Sequence, residues 1–223
     1  MRNKIVTSFP VAALSIALLV PAISYGQSAT NSRSSQDSEN QSAAQQEAAQ
    51  MVPARSYLRN TLDAKNSKPG TEFTTTLSQD VHLKNGFNLP RGTKLIGTVA
   101  TDDMQMQGTS KLALRITSAQ LKDGKTIPVK ATIVGVYGPE TEDMQGYNVA
   151  PGDEQANDWT NSMLNVDQLN AMSGVDLHSR IAGQNSGVFV AKKKDNVKIS
   201  AGSEFALAIA EQGQQTTGAN GGS

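Results

Sequence analysis

The chain has 223 residues, 37% of them hydrophobic and 4% aromatic, with 20 basic and 20 acidic side chains and a formal net charge of +0. This balance excludes the global positive field that draws a protein to nucleic acid. With no cysteine, disulfides, thiol catalysis and an N-terminal lipid anchor on cysteine are excluded as well.

Residues 1–26 have the three-part layout of a secretory signal peptide. Arg2 and Lys4 precede an apolar run from Val11 to Val20, followed by Pro21 and by the small residues Ser24 and Gly26 ahead of Gln27. The run is shorter than the ~20 apolar residues that a spanning helix needs. The expected location is therefore the periplasm or the cell exterior. Residues 27–50 are rich in Ser, Gln, Asn and Ala and read as a disordered tether. A weak helix from Ala43 fits the composition but carries no apolar stripe to dock. Folded structure is expected over 51–210, with a disordered tail over 211–223.

Within that window, Val52 to Leu62 reads as a strand with Leu58 and Leu62 inward. A weak repeat follows. Lys68-Pro-Gly70-Thr-Glu-Phe73 is echoed by Pro90-Arg-Gly92-Thr-Lys-Leu95 and by Ser200-Ala-Gly202-Ser-Glu-Phe205. Each places a Gly turn before an alternating strand, so Gly70, Gly92 and Gly202 read as structural turns at positive φ. They are followed by strands and not helices, which excludes a phosphate-binding loop.

The clearest element is a hairpin. Leu112, Leu114 and Ile116 alternate with polar neighbours, as do Ile127, Val129, Ala131 and Ile133, with Lys130 and Thr132 outward. Between them, Asp123-Gly124 predicts a type I′ turn. Later strands are expected over Val175–Ile181, Gly187–Ala191 and Val197–Ile199. The fold class is all-β, a small barrel or sandwich.

Gly138 to Gly174 interrupts this pattern as an insertion with seven acidic residues and no Lys or Arg. It holds the only Trp, and Trp159 to Met172 reads as a short helix. An aromatic on a long loop is a natural anchor for a partner. The candidate partner contacts are Tyr147 and Trp159, with the basic turn Lys192, Lys193 and Lys194 as a complementary patch. No twelve-residue calcium loop is present, and no cofactor or metal is expected.

Catalytic patterns are sparse. The histidines are His82 and His178, and neither G-x-S-x-G nor H-E-x-x-H occurs. Asp176 and His178 fall on one face of a strand and Ser186 follows in a turn, the raw material for an envelope hydrolase. Asp102 and Asp103 read as solvated. The sequence points to a non-enzyme whose partners are other envelope proteins or a second copy of itself.

Leu89-Pro-Arg-Gly-Thr-Lys-Leu-Ile-Gly97, Leu112-Ala-Leu-Arg-Ile116, Leu121-Lys-Asp-Gly-Lys-Thr-Ile127 and Asn196 to Phe205 together resemble the periplasmic β-domain of the TrbI-like conjugation proteins. Those proteins are scaffold components of type IV secretion channels. The resemblance implies a β-domain, an envelope setting and a scaffolding role. Where that family inserts a long apolar helical projection, this sequence has its acidic 138–174 segment.

Overall fold

The computed structural model describes residues 45–139, 165–181, 183–192 and 195–212. Its strands are β1 (Val52–Leu58), β2 (Leu62–Asp63), β3 (Glu72–Leu77), β4 (Val81–His82), β5 (Asn88–Leu89), β6 (Lys94–Ala100) and β7 (Ser110–Gln120). They continue as β8 (Thr126–Tyr137), β9 (Asn165–Met172), β10 (Val175–Arg180), β11 (Gly187–Ala191), β12 (Lys198–Ile199) and β13 (Glu204–Glu211). A short helix, α1, covers residues 45–50.

The main sheet runs β6-β3-β1-β13-β8-β7-β11-β10-β9, and a further β6–β7 pairing closes its first six strands into an antiparallel barrel. Of the two all-β alternatives, the barrel is realised. Alternation fills it as expected. Phe73, Leu77, Leu95, Val99, Leu112, Leu114, Ile116, Ile127, Val129, Ile133, Phe205, Leu207 and Ile209 are all buried in one cluster. Gly97 makes room for this packing. A Cβ there would lie 2.5 Å from the Phe73 ring and 2.6 Å from the Arg115 carbonyl.

One local device recurs at the barrel's corners. Gly70, Gly92 and Gly202 have φ of 91°, 87° and 84°, each at the third position of a turn closed by Thr71 N, Thr93 N or Ser203 N. Positive φ at that position is the type II requirement. Each glycine N–H then donates to one strand-end residue whose own N–H donates to the next carbonyl. Gly70 and Thr71 thus face Val99, Gly92 and Thr93 face Leu77, and Gly202 and Ser203 face Leu58. Two residues opposite one, with glycine first, is the G1 bulge.

The Asp123-Gly124 hairpin uses the same device, which corrects the expected type I′ turn. Only Gly124 has positive φ (87°), Gly124 N donates to Leu121 O, and Leu121 N donates to Lys125 O. The loop is therefore three residues long, a tight turn followed by a G1 bulge. Asp123 Oδ1 accepts from Lys125 N at 2.9 Å, which lets Asp123 stay at negative φ.

Two further expectations are corrected. Residues 165–172 are the strand β9, paired with β10, and not the end of a helix begun at Trp159. Pairing across the Ser173-Gly174 turn overrides the helix-compatible spacing of Leu169 and Met172, and the insertion proper shrinks accordingly. The stretch before β1 also docks. Ala48 and Met51 are each 1% exposed and pack on Ile181, Ala208 and Ala210, while Glu47 pairs with Lys130. The outer face of β8 and β13 is thus covered, and Thr132 is buried instead of solvated. The signal-like residues 1–26, residues 27–44 of the tether and residues 213–223 of the tail lie outside the described residues.

Gly124 has open space where a side chain would project, so a substitution there tests backbone conformation alone. Gly124→Val is expected to lower stability by more than about 1 kcal/mol, because a β-branched residue resists positive φ. Thermal unfolding followed by circular dichroism measures this. Thr75→Val is the matched contrast, expected to leave the melting temperature unchanged or raised, since the buried Thr75 hydroxyl has no hydrogen-bond partner.

Candidate functional site

The part of the molecule that barrel closure does not account for is the ribbon β11-β10-β9, which continues the sheet beyond β7. It begins at a fork. β7 and β8 pair only over Ser118–Gln120 and Thr126–Pro128. Beyond that, β7 pairs with β11 through Ser110–Leu114. Ser186 sits in the fork, 2% exposed. Its N–H donates to Leu114 O at 2.7 Å, its carbonyl accepts from Ile133 N at 2.7 Å, and its Oγ accepts from Ile116 N at 2.9 Å. Ser179 Oγ donates to Ile133 O at 2.5 Å. Two buried serines therefore satisfy the backbone groups that the parting strands expose.

Strand alternation on β10 turns Val175, Leu177 and Ser179 toward the barrel and Asp176, His178 and Arg180 outward. The outward row is tied to its neighbours. His178 Nδ1 and Asp167 Oδ1 pair at 2.6 Å across the β9–β10 register. Arg180 Nε donates to Asn165 Oδ1 at 3.2 Å. Asp176, with its side chain 4% exposed, pairs with Lys192 and accepts from Asn170 N at 2.9 Å.

Asn170 is one of two non-glycine residues at positive φ (52°) among the described residues. It lies where the β9–β10 register shifts, between Val175 and Leu177. Asn tolerates this conformation better than most residues, and the hydrogen bond to Asp176 holds it. The bulge leaves Leu169 61% exposed on the last strand of the sheet. Burial raises the proton affinity of Asp176, but the Lys192 ammonium, the Asn170 N–H and the charge of His178 outweigh it. The carboxyl is held below its ordinary value of 3.8.

The residues picked out from sequence fare unequally. Tyr147, Trp159, Lys193 and Lys194 lie outside the described residues. Lys192 is at the site, where its ammonium pairs with Asp176. Gly70, Gly92, Gly124 and Gly202 stand at turns with positive φ. The triad drawn from Asp176, His178 and Ser186 does not assemble, because His178 pairs with Asp167 and the Ser186 hydroxyl is bound to Ile116 N. Among the described residues, no group of three His, Asp or Glu is placed to hold a metal ion.

Asp102 and Asp103, read as solvated, instead brace a loop beside the ribbon. Asp102 accepts from Met104 N and Met106 N at 3.0 and 2.7 Å and pairs with Lys111 at 3.0 Å. Asp103 Oδ1 accepts from Asn185 Nδ2 at 2.6 Å. Met104 and Met106 thereby pack over Ala113, Val188 and Val190 on the outer face. The Asp-Asp-Met-Gln-Met spacing was the available signal, since an Asp two and four residues before an amide is an Asx-type loop brace.

A scan against protein-family models and a search of curated proteins find no match for the chain.

Asp176 sets a pH expectation. A carboxylate with a depressed folded pKa contributes stability that is complete above its unfolded pKa and is lost as pH falls through the folded value. Asp176→Asn is therefore expected to cost roughly 1–3 kcal/mol at neutral pH. The gap to the parent protein should close in urea unfolding carried out at pH values progressively below 3.8. A constant gap at all pH values is the opposing result.

Proposed function

We propose that the chain is a non-catalytic component of the bacterial cell envelope, periplasmic or secreted, that acts by binding or scaffolding. The observation that carries this reading is the edge strand β9. It ends the sheet, it displays Leu169 on a bulge braced by Asp176, and the acidic segment 140–164 leads directly into it. Among the described residues no further strand pairs with β9, and an edge strand is a template for a strand of another chain, with main-chain bonds giving affinity and side chains such as Leu169 giving choice.

The signal-like residues 1–26 support the location, and no helix among the described residues is long and apolar enough to cross a membrane. The barrel agrees with the β-domain implied by the resemblance to TrbI-like conjugation proteins. Its partners are other envelope proteins or a second copy, without nucleic acid. The alternative, a hydrolase built on Asp176 and His178, lacks the service of Ser186, whose hydroxyl is committed to the fork.

Two variants test the reading. Leu169→Asp and replacement of 140–164 by a short Gly-Ser loop should both keep the β-type circular dichroism spectrum. Both should lose self-association in light scattering, or capture of envelope proteins that the parent chain retains. Retention of association by both variants would remove the edge strand from the account.

A further inference from the structure

The barrel end away from Gly70 gathers charge. The Gly86, Gly92 and Gly124 turns meet there, with Lys122 packed 3.2 Å from where Gly92 would carry a Cβ and Lys94 paired with Gln120 in the β6–β7 register. A cavity of about 360 Å³ opens between them, lined by Gly92, Lys94, Gln120, Leu121, Lys122 and Gly124. Arg91 adjoins Gly92 in sequence, Lys125 lies beside Phe87, and the Lys84 ammonium donates to the Ala49 carbonyl. The acids of the same turns, Asp80 and Asp123, are each engaged by a backbone N–H, of Arg91 and of Lys125. Cations outnumber acids there by five to two over residues 78–94 and 120–126.

A second, independent feature shares this rim. Phe87 is 40% exposed and, with Leu169, is one of two exposed large apolar side chains among the described residues. The Lys125 ammonium lies 5.2 Å from its ring centroid. A soluble polyanion has use for the lysines and none for the ring. An anionic bilayer uses both, since basic side chains meet headgroup phosphates while an aromatic enters the interface.

We propose that this rim, with Lys94 and Lys122 flanking the cavity and Phe87 beside it, docks on the phosphate headgroups of an anionic lipid surface. The inference does not depend on the edge-strand reading, which concerns β9.

Co-flotation of the full chain with phosphatidylcholine vesicles, with and without phosphatidylglycerol, tests it. The readout is the ratio of anionic to neutral binding, because the Val11–Val20 run is common to every protein compared. The parent chain should favour anionic vesicles. Lys94→Gln with Lys122→Gln should cut that preference roughly thirtyfold, at ~1 kcal/mol for each lysine near the surface. Phe87→Ser should weaken binding severalfold with the charge untouched. Lys65→Gln with Lys68→Gln, a matched change at the Gly70 end, should leave the preference intact. Three results would overturn the proposal. These are no anionic preference in the parent, an equal loss in the Lys65/Lys68 control, and full binding by Phe87→Ser with competition by inorganic polyphosphate, which marks a soluble-polyanion site.

Discussion

The ribbon β11-β10-β9 beyond the barrel hangs on Ser186. Two strands of a hairpin cannot part inside a protein without stranding their peptide groups, and a buried peptide group without a partner costs about as much as a lost hydrogen bond. β7 and β8 part after three residue pairs, and Ser186 meets Leu114, Ile116 and Ile133 at the point of separation. Gly187 lets the next strand come close, since a Cβ there would lie 3.1 Å from Leu177 and 3.3 Å from Ile133. β11 can then take over the edge of β7, and β10 and β9 follow. Without this junction the sheet would lack β11, β10 and β9, and with them the brace for Leu169.

The barrel itself relies on a different economy. Five glycine turns, at Gly70, Gly86, Gly92, Gly124 and Gly202, make the same two-against-one contact with a neighbouring residue. In two of them the bulge closes a hairpin. In three it ties a turn to the end of a strand distant in sequence, so each fixes register as well as direction. Bulges bend and twist strands, which is what closing a small sheet into a barrel demands. A chain with no disulfide obtains its long-range ties here from backbone hydrogen bonds and from one continuous apolar cluster.

Much of this was legible because it is written in local pattern. Alternation marked the barrel strands, and the Gly-Thr and Gly-Ser repeats marked the corners before the role of the corners was known. The type of the 121–125 turn was misread because Asp-Gly serves two loop lengths, and only the Leu121–Lys125 pairing distinguishes them. β9 was misread because its apolar spacing suits a helix, and its true partner, β10, is chosen by tertiary pairing. Ser186 was noticed for the wrong reason. A serine immediately before a strand looks like a loose nucleophile until the fork between β7 and β8 is known, and that fork, filled by a segment about 70 residues away in sequence, leaves no local trace. The docking of α1 was hidden similarly, because Ala48 and Met51 are too few to form a stripe and find their surface only in Ala208, Ala210 and Ile181.

The most direct measurement is amide hydrogen exchange at Ile116 and Ile133, followed by NMR in the parent protein and in Ser186→Ala. Ile116 N–H is held by the Ser186 side chain and Ile133 N–H by its main chain. Both amides should be among the slowest to exchange in the parent, and the substitution should release Ile116 selectively while Ile133 stays protected. Rapid exchange of both amides in the parent, or unchanged protection of Ile116 in the variant, would contradict the fork on which the rest of the structure is built.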